Sequence, residues 1–483
     1  MYFGRDGAVS ACCYSRTSPL GRYPEQSVEE IWNGTVADSL RAALRRNEMP
    51  SGCELCADQI HAGNFTGLLA NQFDQNARLK PTPTLISRVK SLFQIEQPKP
   101  FPVRLDFELS NKCNLECAMC SGFFSSSIRA NREKLPALQQ KYDSKFVQQL
   151  VPYLPHLTNA KFLGGEPFLI DIYYDIWEHL IELNPNCKVT ITTNGTVFTD
   201  KVKRVLEKLN CEIVVSLDSV VKPTYENIRK NATLERTLAN IDSFDEIIRR
   251  KNTGLSFAIC PMVSNAEEIP GLVNFASERG AHVFFNTVVF PASHSIRALP
   301  TGRQREILLL FRASRSECHT TVGERNRDAL EGLSRQIEFW ISESDEKITP
   351  LRKRCAELID SGSVPAPYRV VLQDLAHEGE HRQDDSFVTL EEADPVEKLK
   401  VYFRAVWYLG SLFERDNLLP GAHFDRDEEQ IFLTHLADQI GPAQGRRIYS
   451  EIRYFPKTLL DIVGTTPASK LCELLDTHLA ATH

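Results

Sequence analysis

The run Val103-Arg104-Leu105-Asp106-Phe107-Glu108-Leu109-Ser110-Asn111-Lys112-Cys113-Asn114-Leu115-Glu116-Cys117-Ala118-Met119-Cys120 decides the fold. Its first half alternates, with apolar Val103, Leu105, Phe107 and Leu109 between charged Arg104, Asp106 and Glu108. That period of two predicts a half-buried strand. Its second half sets three cysteines in a C-x3-C-x2-C loop directly after the strand. Thiolates hold iron–sulfur clusters, and a 4Fe–4S cube has four irons. Three cysteines on a short loop bind three of them and leave the fourth open to an outside ligand. A cofactor can then bind the cluster directly and receive an electron. The competing reading is a zinc loop or free thiols, but zinc sites usually present paired C-x2-C spacing and four ligands.

Working outward, five further strands are predicted at Ala160 to Leu163, Lys188 to Thr193, Glu212 to Leu217, Leu255 to Cys260 and Val283 to Phe290. Helical stripes lie between them, as in Ile172, Ile176 and Leu180, or Val202, Val205, Leu206 and Leu209. Asp171 and Asp200 are expected to cap those two helices. Six strands joined by helical crossovers imply an α/β class with parallel pairing. A partial or complete barrel closes such a sheet, and its chemistry sits at the carboxyl ends of the strands.

Before this region, residues 1 to about 75 are rich in turn formers and carry Cys12, Cys13, Cys53 and Cys56. One short helix is expected from Ser27 to about Trp32, with Ser27 and Glu30 in a capping box. A linker is expected around Lys80-Pro81-Thr82-Pro83 and Gln97-Pro98-Lys99-Pro100. From about 301 to 483 the chain reads as mainly helical, with helices at Val396 to Phe413, 427 to 440 and 469 to 480, and a polar loop from His377 to Asp385. His423, His435 and Cys472 are isolated there and read as packing or surface residues. The remaining scattered cysteines, Cys187, Cys211, Cys260, Cys318 and Cys355, read as small buried hydrophobes.

Composition bounds the class. The chain has 483 residues, enough for two to four domains, and a net charge of -7, mild for this size, so general nucleic-acid affinity is not indicated. No apolar run is long enough for a membrane span, and the N-terminal residues lack the apolar core of a secretory signal. A cytosolic location is expected. There, an odd count of 13 cysteines speaks for metal ligands rather than disulfides.

On these motifs, residues 103 to about 290 resemble the radical SAM superfamily. The resemblance implies a partial (β/α)6 barrel, with Cys113, Cys117 and Cys120 holding a 4Fe–4S cluster. It implies that S-adenosylmethionine chelates the open iron and is cleaved reductively to a 5′-deoxyadenosyl radical, which abstracts hydrogen from the substrate. Met119 stands where the family often has an aromatic residue. Phe162-Leu163-Gly164-Gly165-Glu166-Pro167 is similar to the family's GGEP motif, so Gly164, Gly165 and Glu166 are expected at the cofactor's amino group. Glycine lets backbone approach a ligand closely, and Glu166 brings negative charge to a cationic amine. Thr192-Thr193-Asn194-Gly195 and Ser216-Leu217-Asp218-Ser219 resemble strand ends that face the cofactor, with Ser219 where glycine is commoner. Arg229 matches an arginine suited to the cofactor's carboxylate.

The segment from Asp6 to Cys56 resembles the SPASM/twitch auxiliary-cluster module, placed ahead of the barrel. The resemblance implies a second 4Fe–4S cluster on Cys53, Cys56 and one or both of Cys12 and Cys13. The family's first cysteine, expected upstream of Asp6, is absent. This suggests a chain start downstream of the natural one, the alternatives being ligation by both Cys12 and Cys13 or an open iron. A zinc knuckle is the other reading of this module. The expected division is 1–78 for the auxiliary module, 100–295 for the barrel and 300–483 for the helical region. Peptide or small-molecule modification is the implied activity, with an electron donor such as flavodoxin or ferredoxin. The alternative class is a non-catalytic zinc or iron–sulfur protein that uses the barrel as a scaffold for a partner.

Overall fold

The computed structural model describes residues 1–65 except 17, 47 and 51, then 68, 101–288, 291–314, 320–344, 349–376, and 394–480 except 420. The expected linker around 80–83 and 97–100, the loop from 377 to 385, and Cys318 lie outside these residues. Nine strands run in chain order: β1 Tyr2–Gly4, β2 Ala8–Ser10, β3 Gly21–Arg22, β4 Arg104–Glu108, β5 Asn159–Phe162, β6 Lys188–Thr193, β7 Cys211–Ser216, β8 Leu255–Ile259 and β9 His282–Phe285. They form a single open sheet in the order β3-β2-β1-β4-β5-β6-β7-β8-β9. Strands β4 to β9 pair in parallel, each with the next. This is the partial barrel of an α/β protein. Closure is not complete, because β3 and β9 remain edges.

Helices supply the crossovers. The stripe Val202, Val205, Leu206 and Leu209 is buried, as is Ile176 with Leu180. The expected caps are corrected by one residue. Thr199 caps the helix Asp200–Lys208 by accepting from the Val202 N–H at 3.3 Å. Ile170 precedes Asp171–Leu183 with no side-chain cap. Asp200 and Asp171 instead sit in the first turn, where negative charge meets the positive end of the helix dipole.

The N-terminal segment is more ordered than its turn formers suggest. The helix Val28–Asn33 starts at the predicted Ser27–Glu30 capping box, but helices Thr35–Arg45 and Glu54–His61 accompany it. β1, β2 and β3 form an antiparallel ribbon, and β1 pairs in parallel with β4. An aromatic row crosses that junction. Phe3 stacks on Phe107 at 5.6 Å and Phe107 on Phe162 at 5.0 Å, with Trp177 edge-on to Phe162 at 5.4 Å. All four are fully buried.

The ribbon also overturns the half-buried reading of β4. Asp106 and Glu108, expected on an open face, are buried along with Leu105 and Phe107. In a barrel both faces of a strand are covered, so alternation there marks two buried environments rather than core and solvent.

The described residues divide into two compact units. One comprises Met1–Ile259, Glu268–Asn286 and Arg315–Arg335; the other comprises Cys260–Glu267, Thr287–Ser314 and Gln336–His483. The second is helical and built around Pro395–Arg415, whose Leu399, Tyr402, Val406, Leu409 and Phe413 are fully buried in its core. Helices Arg426–Gln439 and Ala468–Ala480 match the predicted positions. Within this unit, buried Asp374 accepts from Arg453 Nε at 2.9 Å, Arg453 Nη2 at 3.0 Å and the Tyr402 hydroxyl at 3.0 Å. His423 pairs with Glu414 and His435 with Asp476, both as surface contacts, and Cys472 is half-buried. Cys187, Cys211 and Cys355 are buried, while Cys260 is half-buried. Among the described residues no helix is long and apolar enough to cross a membrane.

Candidate functional site

The loop after β4 is folded back on itself by serine hydroxyls. Ser126 accepts from the Cys113 N–H at 3.1 Å, Ser127 donates to the Cys113 carbonyl at 2.7 Å, and Ser125 donates to the Leu115 carbonyl at 2.7 Å. Its far side is fastened to the segment before Asn231. The Glu116 N–H donates to the Lys230 carbonyl at 3.1 Å and the Ala118 N–H to the Ile228 carbonyl at 2.8 Å. Cys113, Cys117 and Cys120 are thereby brought together, with Cys120 within electrostatic reach of both others.

Burial pushes the Cys113 thiol up to about 11 and Cys120 up to about 12, and raises Cys117 against the opposing pull of Arg229. These are thiols that the protein alone does not ionise. Thiolate ligation by a metal centre supplies the missing positive charge and drives deprotonation. Among the described residues no three His, Cys, Asp or Glu side chains converge closely enough to hold a single ion. A cube spreads its thiolates over separate irons and needs a wider set. The donors present are therefore of the right chemistry for an iron–sulfur cluster on this loop.

The turn after β5 packs directly on the loop. The Gly165 N–H donates to the Ser110 carbonyl at 3.0 Å and the Glu166 N–H to the Lys112 carbonyl at 2.8 Å. A Cβ on Gly165 would lie 2.3 Å from the Lys112 carbonyl oxygen, and one on Gly164, at φ +124°, would lie 2.7 Å from that of Ser110. The close approach that requires glycine here is to the cysteine loop's own backbone.

Glu166 is fully buried. Its carboxylate accepts from the Thr193 hydroxyl at 2.8 Å, the Asn194 N–H at 2.7 Å and the Phe168 N–H at 3.1 Å. Burial outweighs these donors and pushes its pKa up to about 7. Glu166 thus locks the β5 turn to the end of β6. From there Asn194 reaches Asn114 at 3.0 Å and approaches the Cys113 sulfur at 4.0 Å.

At the end of β7, Ser216 is half-buried. Two residues on, Asp218 accepts from Arg229 Nε at 2.6 Å, and Arg229 Nη1 lies 3.7 Å from the Cys117 sulfur. Arg229 is buried and already holds a carboxylate of this chain. Ser219, where glycine was the commoner residue, uses its hydroxyl to bond Glu268 and to accept from the Val221 N–H at 2.9 Å. The turn therefore gains a side-chain anchor that glycine lacks.

The second cysteine set is also gathered. Cys12 interacts electrostatically with Cys13 and with Cys53, and Tyr14 with Cys12, Cys13 and Cys56. Cys12 and Cys13 follow β2, and Cys53 precedes the helix Glu54–His61 that carries Cys56. All four are half-buried, and burial raises Cys13 and Cys53.

One group of residues had no signal in the sequence. Arg5 Nη2 bonds Glu108 Oε1, Arg16 Nη2 bonds Glu108 Oε2 at 2.7 Å, and the Arg5 guanidinium lies over the Phe123 and Phe124 rings. These partners are about a hundred positions apart, so no local pattern reveals them.

Comparison with known proteins agrees with this geometry. Residues 107–276 match the family model of the radical SAM superfamily, and residues 1–57 match that of the SPASM iron–sulfur cluster-binding domain. The AdoMet-dependent heme synthase of Methanosarcina barkeri is 28% identical over 210 residues, covering 42% of this chain and 53% of that protein. A GTP 3′,8-cyclase of Clostridium perfringens is 26% identical over 175 residues, covering 36% and 51%. The chain thus spans about half the length of the curated relatives it matches. Among solved structures, anSMEcpe with bound AdoMet aligns at 17% identity with a TM-score of 0.35, covering 44% of this chain and 60% of that one. SuiB of Streptococcus suis, bound to its precursor peptide SuiA, aligns at 21% identity with a TM-score of 0.33, covering 48% of each chain. Residues 107–276 are thus a radical SAM domain, and residues 1–57, ahead of the barrel, are a SPASM iron–sulfur cluster-binding domain.

Proposed function

We propose that this protein cleaves S-adenosylmethionine reductively and uses the product radical to modify a peptide or small molecule. The observation that carries the reading is the trio Cys113, Cys117 and Cys120, gathered on one loop inside the family-matched residues, with Cys117 buried and the other two half-buried. When bound, a 4Fe–4S cluster with one open iron supplies the electron that breaks the sulfonium bond, giving methionine and a 5′-deoxyadenosyl radical that takes hydrogen from the substrate.

The chain's own residues do the positioning. Cys113, Cys117 and Cys120 ligate the cluster, and Arg229, oriented by Asp218, donates toward the Cys117 sulfur and steadies its thiolate. The Gly164–Glu166 turn, Ser216 and the Arg229 segment form the edge that holds S-adenosylmethionine. Glu166 acts there by fixing the turn and the Thr193–Asn194 strand end. Cys53, Cys56, Cys12 and Cys13 hold an auxiliary cluster. The heme synthase and GTP cyclase that the chain resembles are named for different products, so the substrate is given as the class peptide or small molecule. The electron comes from a donor such as flavodoxin or ferredoxin in the cytosol.

The test is anaerobic. Iron- and sulfide-reconstituted protein with dithionite should release 5′-deoxyadenosine from S-adenosylmethionine. Absence of release, together with zinc in place of iron by elemental analysis, would instead indicate a partner-binding scaffold.

A further inference from the structure

A series of polar contacts runs from the Cys13 carbonyl to the backbone just past Cys120. Arg16 Nε donates to the Cys13 carbonyl at 3.0 Å, and its Nη2 bonds Glu108 Oε2 at 2.7 Å. Glu108 Oε1 takes Arg5 Nη2, and Arg5 Nη1 donates to the Phe123 carbonyl at 2.5 Å, three residues past Cys120. Arg5 acts electrostatically on Cys120, and Arg16 on Cys12 and Cys13. Glu108 and Arg5 are buried. Burying an ion pair costs more than a surface pair returns, so a hydrophobic pair of equal volume would serve stability as well. The charges need another reason. Burial pushes the Glu108 carboxyl up, but a guanidinium on each of its oxygens holds it ionised; two guanidiniums and one carboxylate then leave the group with one net positive charge, set between two sites that gain negative charge on reduction.

We propose that Arg5, Glu108 and Arg16 form a charged tie that holds the spacing of the two cysteine sets and sets the reduction potentials of the clusters they bind. The proposal rests on the cluster reading given above. These are positioning residues, since none ligates a metal. A cation near a cluster favours its reduced form, and burial keeps solvent from screening it.

The test is a potentiometric titration of the iron-loaded full chain followed by electron paramagnetic resonance. With Arg5→Gln, the reduced-to-oxidised ratio of the Cys113–Cys120 cluster at a fixed poise should fall about tenfold, a downward shift of about 59 mV for one electron. Glu108→Gln removes the negative charge and should move the ratio the opposite way. Arg16→Gln should lower the auxiliary cluster more than the first. Loosened packing alone would not give shifts of opposite sign for Arg5→Gln and Glu108→Gln, so that pair separates charge from structure. If Arg5→Gln does not fold, Glu108→Gln and Arg16→Gln carry the same contrast. Iron-loaded variants with unmoved potentials, or shifts all of one sign, overturn the tie. Wild-type protein that takes up no iron overturns the cluster reading itself.

Discussion

Gly165→Ala perturbs the site through a single methyl group. The added Cβ would lie 2.3 Å from the Lys112 carbonyl oxygen, 2.6 Å from the Lys112 carbonyl carbon and 2.7 Å from that of Asn111. All three atoms are backbone, so none can swing aside as a flexible side chain would. Reaching an ordinary van der Waals contact of 3.4 Å requires the turn and the cysteine loop to separate by about 1.1 Å, the difference between 3.4 and 2.3 Å. That displacement strains the Gly165–Ser110 and Glu166–Lys112 hydrogen bonds. Overpacking of this kind costs about 1–3 kcal/mol, and a 1 Å misplacement at reacting groups costs roughly 10²-fold in rate. The assay is iron content per chain after reconstitution, thermal unfolding, and 5′-deoxyadenosine formation. We expect lower iron retention, a lower unfolding midpoint and about a hundredfold slower cleavage. Gly271→Ala is the control: nothing lies within 4 Å of its added Cβ, and it sits in the helix Ile269–Glu278. Alanine there should be neutral or stabilising by up to about 1 kcal/mol. If Gly165→Ala matches wild type in iron, midpoint and rate, the close packing of turn on loop is not what positions the site.

Four further outcomes follow from the same contacts. Cys117→Ala should abolish 5′-deoxyadenosine release while far-UV circular dichroism stays unchanged; full activity would remove the residue from the site. Cys53→Ala with Cys56→Ala should lower iron by about one cluster per chain yet leave S-adenosylmethionine cleavage measurable, and unchanged iron would show that this set binds none. Because burial raises Glu166 from 4.5 to about 7, the folded state holds its proton longer than the unfolded chain does, so stability from this group is present below pH 4.5 and lost as pH rises toward 7. Unfolding midpoints measured across that window should flatten in Glu166→Gln, and an unaltered slope would assign the dependence to other groups. In the helical unit, Arg453→Met removes a bidentate cation from the buried Asp374 carboxylate and should cost about 3–5 kcal/mol, whereas Tyr402→Phe removes one hydrogen bond and should cost about 1 kcal/mol; equal costs in chemical denaturation would refute that ranking.

The six barrel strands were legible because each carries its own alternation or apolar run, and the crossover helices because their stripes recur every three to four residues. The cysteine loop was legible because its ligand spacing is local. What escaped is non-local. Strands β1 to β3 are two or three residues long, too short for any period, and β1 joins the barrel strands by pairing with β4 about a hundred residues later. The burial of Asp106 and Glu108 follows from the covering of both strand faces, with Arg5 and Arg16 of the N-terminal segment laid on Glu108. Glu166 was expected to offer its charge to a ligand, yet three donors from this chain already surround it, two of them at the end of the next strand. Gly165 was read for a ligand's approach, and the nearest neighbour is the backbone of Lys112. In each case the residue was recognised but its contact was set by tertiary packing.

The most direct measurement is electron paramagnetic resonance of anaerobically reduced protein, recorded with and without S-adenosylmethionine. An open iron on the Cys113–Cys117–Cys120 loop predicts a 4Fe–4S signal whose g-values move when the nucleotide is added, and the loss of that signal in Cys117→Ala. A spectrum indifferent to S-adenosylmethionine, or one that survives in Cys117→Ala alongside full iron content, would contradict the assignment.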